Sequence, residues 1–248
     1  MEQYTVITFY KFINIENIPE LQIQLLKICK KHSIKGTILI AKEGINSTLV
    51  GKENNIELFL NSLFKQKLFS DLYVQRSKVD FMPFHKLKVK TKNEIVTFRE
   101  QELDIAQAGI HVEPEEWDSL LQNKEEFLVI DTRNDYEVEI GTFANSINPN
   151  IKNFTELKNW LHSLDIGHKK NIAMFCTGGI RCEKSTAYMK SLGYKNVYQL
   201  KGGIINYLAK TSNKSGMWQG ACFTFDDRRA LGTDLQPQYN NAHMYKRT

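Results

Sequence analysis

The stretch NIAMFCTGGIRCEKS, residues 171–185, decides the fold of the second half of this chain. NIAMF has the composition of a strand buried on both faces, and CEKSTAYMKSL (182–192) continues as a helix. Between them Thr177, Gly178, Gly179 and Ile180 turn the chain, and Arg181 precedes the helix. Strand, glycine turn and helix form the repeating unit of a parallel α/β sheet, and ligands collect outside the carboxyl ends of such strands. Cys176 stands at that end. Glycines allow a tight turn with N–H groups pointing inward as an anion nest, the helix adds its N-terminal dipole, and Arg181 adds a full charge. Each favours thiolate over thiol, so Cys176 is expected to be a nucleophile with a depressed pKa.

The flanks extend the pattern in both directions. FLVIDTR (127–133) and NVYQL (196–200) read as further buried strands, and HVEPEEWDSLL (111–121) and FTELKNWLHSL (154–164) read as helices, so residues 111–215 form a parallel α/β domain. The N-terminal third has a different rhythm. TVITFYKF (5–12), GTILIA (36–41), NSTLVG (46–51) and DLYVQRSKV (71–79) are strand-like, and 18–32 and 53–67 are amphipathic at helical spacing. The order β-α-β-β-α-β is the ferredoxin-like arrangement, an α+β domain assigned to residues 1–92. The segment 81–98 is basic and partly extended and connects the two domains, with a linker over 93–110; residues 216–248 are a C-terminal extension.

Of 248 residues, 42% are hydrophobic, enough for a packed core. No run of eighteen apolar residues suggests a membrane span, and the N-terminus lacks a signal-peptide pattern. Four cysteines in a chain of this length, with no CxxC pair, point to a reducing, cytoplasmic compartment and to neither a disulfide framework nor a structural metal site. The net charge of +5 is unevenly spread: the first 92 residues carry 15 Lys and Arg against 8 Asp and Glu. That asymmetry suits a polyanion such as nucleic acid, or a lysine-rich solvated surface.

Spacing narrows the chemistry. In the C-x5-R loops of protein tyrosine phosphatases the arginine comes six residues after the cysteine and the loop cradles phosphate. Here Arg181 comes five residues after Cys176, and the tighter loop better fits a single sulfur. Residues 111–210 resemble a rhodanese domain, through VIDTRNDYEVEIGTFANSINP (129–149), CTGGIRCEKS (176–185) and GYKNVYQLKGGIINY (193–207). The resemblance implies that Cys176 can carry sulfane sulfur as a persulfide and that Asp131 and Arg133 hold the domain in shape near the site. With GTILIAKEGINSTLVG (36–51) and GACFTFDDRRAL (220–231), nearly the whole chain is similar to bacterial rhodanese-related tRNA uridine hydroxylases. That family implies formation of 5-hydroxyuridine at the wobble position, with molecular oxygen and a reductant as co-substrates, tRNA as partner through its anticodon region, and no DNA or membrane partner. Many members continue into a cysteine-containing tail; this chain ends in LQPQYNNAHMYKRT, with no cysteine after Cys222. No flavin, haem or iron motif is legible.

In this reading Arg76, Lys78, Lys86, Lys88, Lys90 and Lys92 contact RNA phosphates. Phe81, Phe84 and His85 either stack on unpaired bases or, for the two phenylalanines, pack between domains. Cys182 either resolves an oxidised Cys176 as a disulfide or packs under the loop. Glu183 and Lys184 read as helix-surface charges, Cys29 and Cys222 as packing, and Asp226, Asp227, Arg228 and Arg229 as an ion-pair cluster pinning the extension. Two other functions are weighed: a sulfurtransferase working through a Cys176 persulfide, which the loop alone supports equally well, and an inactive rhodanese module whose first domain recruits RNA, against which the intact cysteine, two glycines and arginine of the loop argue.

Overall fold

The computed structural model describes residues 3–100, 102–167 and 170–238. Within these the chain divides into two compact units, the first running to Thr97 and the second beginning at Phe98.

The first unit is one five-stranded sheet with two helices. Its strands are β1 (Tyr4–Phe12), β2 (Lys35–Ala41), β3 (Gly44–Gly51), β4 (Gln75–Val79) and β5 (Leu87–Thr91), in spatial order β4-β1-β3-β2-β5. β1 runs antiparallel to β3 and β4, and β2 antiparallel to β3, which is the ferredoxin-like βαββαβ arrangement. Helix α1 (Ile18–Lys31) begins where the Asn17 side chain accepts the Glu20 N–H at 3.2 Å and Pro19 presets the first turn; it buries Leu21, Leu25 and Cys29 at four-residue spacing. Helix α2 (Glu53–Phe64) buries Ile56, Phe59, Leu60 and Leu63. Both helices cover one face of the sheet, over Ile7, Phe9, Ile38, Ile40, Ile45 and Leu49.

The basic segment after β4 is more than a connector. β5 adds to the sheet edge parallel to β2, from Gly36 opposite Leu87 to Ile40 opposite Thr91, with Leu87 and Val89 turned to the core and Lys88 and Lys90 exposed. The chain stays with this unit beyond β5: Ile95 is buried, donates its N–H to the Glu43 carboxylate at 2.7 Å and accepts from Asn46 Nδ2 at 3.1 Å.

The second unit holds a parallel sheet of β6 (Ile110–Val112), β7 (Phe127–Asp131), β9 (Asn171–Phe175) and β10 (Val197–Leu200), in order β6-β10-β9-β7. A short strand β8 (Gly141–Phe143) lies outside it and pairs antiparallel with β11 (Trp218–Gly220). The helices are α3 (Pro114–Gln122), α4 (Asp135–Val138), α5 (Leu157–His162), α6 (Ile180–Ser191) and α7 (Gly203–Thr211). β12 (Cys222–Phe223) and β13 (Ala230–Leu231) close the described chain as a small antiparallel pair. The core centres on Phe143, whose ring meets those of Tyr207 at 4.7 Å, Phe175 at 4.9 Å, Trp218 at 5.1 Å and Trp117 at 6.2 Å, mostly edge to face. Trp218, Cys222 and Leu231 belong to this same cluster and Leu235 packs against it, so the extension contributes to the domain core. Residues 239–248 of the extension lie outside the described residues.

Candidate active site

β9 ends at Phe175 and Cys176 follows at the carboxyl edge of the sheet. Gly179 caps α6 in the left-handed region, at φ +99°, and its N–H donates to Cys176 Sγ at 3.1 Å. The helix begins at Ile180, so Arg181 lies inside its first turn instead of ahead of it, and Cys182 N–H closes on Gly179 O at 3.0 Å. A second helix end also meets the loop. At the start of α7 the N–H groups of Ile204 and Ile205 donate to the carbonyls of Cys176 and Thr177, at 3.0 and 3.1 Å. Gly202 and Gly203, both at positive φ, make that approach possible: a Cβ on Gly203 would lie 2.4 Å from Cys176 O. At Gly178, by contrast, a Cβ would meet nothing within 4 Å, so the loop is open on that side.

The four thiols are all free and buried, yet their chemistry differs. Burial pushes Cys29 and Cys222 up to about 12. Burial would raise Cys176 as well, but a hydrogen bond from Cys182, the Arg181 guanidinium and the backbone N–H groups of Arg181 and Gly179 together lower it from 9.0 to about 6. Cys182 moves the other way, raised first by burial and then by its hydrogen bond to Cys176 and that neighbour's charge. Of the pair, Cys176 is shifted toward the thiolate and Cys182 toward the thiol. Cys182 Sγ also lies 3.7 Å from Thr132 Oγ1.

Arg181 is held from below by Glu137, a fully buried carboxylate at 2.8 Å from Nη1 and 3.1 Å from Nη2. Sequence reading did not single out Glu137. Its one signal is its place three residues after Asn134, where it accepts the Asn134 N–H at 3.2 Å as a capping glutamate would; nothing in that pattern announces burial. Asp131 and Arg133 form a buried clasp: the Arg133 N–H, Nε and Nη2 donate to the Asp131 carboxylate at 3.1, 2.9 and 2.6 Å, and Nη2 also reaches Gly141 O at 2.6 Å. That clasp ties the end of β7 to the start of β8 beside the loop.

Glu183 and Lys184 are corrected from surface charges to buried residues, because α6 is buried continuously from Cys182 to Met189. Glu183 accepts from Gln199 Nε2 at 3.0 Å and pairs with His111 Nε2 at 3.1 Å. In the extension, Asp226 and Arg228 form a second buried clasp, with the Arg228 N–H, Nε and Nη2 at 3.0, 2.8 and 2.6 Å from the Asp226 carboxylate.

The basic residues do not form one patch. Arg76 and Lys78 lie on β4 and Lys88 and Lys90 on β5, the two opposite edges of the sheet, which four strand spacings set roughly 19 Å apart. Arg76 is ion-paired with Glu57, and Lys78 with Glu53 at 2.6 Å. Lys86, Lys88 and Lys90 are exposed, with no ion pair among the described residues. Phe81 and Phe84 pack with Met82 on Val6, Val50 and Val79, the sheet face opposite the helices, while His85 is exposed. Among the described residues no cluster of His, Cys, Asp and Glu could hold a metal ion, and no helix is long and apolar enough to cross a membrane. A recess lined by Glu125, Glu126, Lys170 and Asn171 lies at the amino end of β9, the opposite end of the strand from Cys176.

Comparison with known proteins accounts for both units. Residues 4–95 match the family described as UPF0176 acylphosphatase-like domain, and residues 113–210 the rhodanese-like domain. A protein of Neorickettsia sennetsu named tRNA uridine(34) hydroxylase is 46% identical over 96% of this chain and 86% of its own length. One of Rickettsia canadensis with the same name is 46% identical over 98% of both chains. Among solved structures, a rhodanese-related protein of Thermoplasma volcanium is 26% identical over 41% of this chain and 92% of its own, with a TM-score of 0.32. Cys176 thus stands in a rhodanese-like domain joined to an acylphosphatase-like one, and the chain belongs to the family of tRNA uridine(34) hydroxylases.

Proposed function

We propose that this chain hydroxylates the wobble uridine of tRNA to 5-hydroxyuridine, with Cys176 as the essential thiolate. The observation that carries the reading is the contrast among the thiols: only Cys176 combines a strand-end position, donors at its sulfur and a lowered pKa. Attack of Sγ on C6 of uracil forms a C–S bond and moves the C5–C6 π electrons onto C5, which becomes enolate-like. One atom of dioxygen is then incorporated at C5. The other leaves as water, using two electrons from a thiol-class reductant and two protons. Loss of the C5 proton with expulsion of the thiolate restores the double bond. Should Cys176 be oxidised to a sulfenic acid, the Cys182 thiol condenses with it to a disulfide and water.

The anticodon region of the tRNA is the part that must reach Cys176, and the exposed Lys86, Lys88 and Lys90 are the phosphate contacts we favour over the paired Arg76 and Lys78. Four free thiols and a tRNA substrate suit the cytoplasm. The loop alone equally suits sulfur transfer through a Cys176 persulfide. The basic first unit and the full-length family relationship favour the hydroxylase. Nucleoside mass spectrometry of total tRNA from a deletion strain tests the choice. Wild type restoring a uridine heavier by one oxygen atom, and Cys176→Ala failing to, is the expected result; no change in any nucleoside overturns it.

A further inference from the structure

We propose that Phe225, in the extension, is the stacking wall for the pyrimidine base that enters the site of Cys176. The inference rests on the hydroxylase reading and adds the binding surface that reading lacks. Phe225 is 56% exposed, among the few large apolar side chains of the second unit so placed. It is nevertheless firmly held. Its ring meets Phe223 edge to face at 5.0 Å, and Phe223 meets Tyr136 the same way at 5.4 Å. The turn that carries it is locked by the buried Asp226–Arg228 clasp and by Thr224 N–H on Arg229 O at 2.8 Å. A ring already fixed by its turn can accept a planar group without a further cost in ordering.

The neighbours say which ligand. The Arg181 guanidinium lies 5.8 Å from the Phe225 ring centroid and 5.9 Å from that of Phe154. Arg181 is also the charge that acts on Cys176, so the same guanidinium lies against the ring and lowers the thiol. Thr177 Oγ1, next to Cys176, is buried without a hydrogen-bond partner, and the loop is open over Gly178. An aromatic face, an unused hydroxyl and a nucleophile together fit an unstacked base, which has a π face and polar edges. A small sulfane donor would have no use for the ring. Of the stacking candidates from sequence, Phe81 and Phe84 are packed on the first unit's own sheet and His85 is exposed.

The test is a binding cycle with two anticodon stem–loop RNAs, one carrying uridine at the wobble position and one abasic there. Wild type is expected to prefer the uridine RNA by about tenfold or more. Phe225→Ala should lose most of that preference while binding the abasic RNA within about twofold of wild type. Phe225→Trp should keep the preference, and its added fluorescence should be quenched by the uridine RNA alone. A Phe225→Ala protein that keeps the wild-type preference, or binds both RNAs equally more weakly, overturns the proposal, as does an unquenched Trp. Wild type that shows the preference without hydroxylating tRNA would sink the catalytic reading and still support the stacking wall.

Discussion

Glu137 and Arg181 form a two-point ion pair at the Cys176 loop, with the glutamate side chain fully buried and the arginine side chain 11% exposed. Through it the short helix after β7 sets the cation that the loop after β9 needs. The pair separates two effects that a single substitution would confuse. Arg181→Met removes the charge facing Cys176 and strands Glu137 as an unpaired buried carboxylate, which costs about 3–5 kcal/mol. Arg181→Met with Glu137→Gln removes both charges, so much of that stability should return. The thiol should not recover with it, because the guanidinium is still absent. A group whose pKa is lowered is a thiolate above that value, so wild-type alkylation by iodoacetamide should rise through a midpoint near 6. In both variants the midpoint should move toward the ordinary 9.0, and alkylation at neutral pH should slow. Denaturant melts read the first effect and alkylation rates the second. A double variant as unstable as the single one would show that the pair is not what holds the loop.

The glycines around Cys176 are expected to divide by role. Gly203→Ala places a methyl against two backbone carbonyls at a positive φ, so the start of α7 must retreat and its hydrogen bond to Cys176 O must lengthen. We expect a loss of about 1–3 kcal/mol, as for overpacked sites. Gly178→Ala meets open space at an ordinary φ and should change stability by less than about 0.5 kcal/mol, as surface substitutions do. Thermal melts of the two variants give the comparison, and equal losses would contradict the assignment.

The contrast between those glycines is where sequence reading stops. The strand–Cys–Gly–Gly–helix pattern places Cys176 correctly because it is local: a buried strand, a turn and a helix follow one another within fifteen residues. The helix 18–31 was legible for the same reason, from apolar spacing and Pro19. What fails is whatever depends on a distant partner. KLKVKTK alternates as a strand should, but the edge it joins, β2, lies some fifty residues earlier. Glu183 and Lys184 look like surface charges because their burial comes from the packing around α6 and from Gln199 and His111, not from their neighbours in sequence. Glu137 carries the signature of a helix cap, and only the fold brings Arg181 to it. Arg76 and Lys78 share a charge sign with Lys88 and Lys90, and only the strand order shows that they occupy opposite edges.

His111 offers a test of the interior side of α6. Its Nε2 faces Glu183 Oε1 at 3.1 Å and Gln199 Nε2 at 3.2 Å, with Glu113 and Lys201 as the other charges acting on it. The Glu183 hydrogen bond raises its pKa above the ordinary 6.5, against burial, which lowers it. A histidine raised in the folded state stabilises fully below its unfolded pKa, and that contribution fades as pH climbs through the folded value. Wild type should therefore exceed His111→Phe in melting temperature by more at about pH 6 than at about pH 9. Cys176 titrates over the same interval, but it does so in both proteins and cancels from the difference. His111 is about half exposed, so the effect should be modest and should shrink in high salt. A difference that stays constant across that range, or grows with pH, would mean that the imidazole is neutral beside Glu183 and that Gln199 alone satisfies the carboxylate at the start of α6.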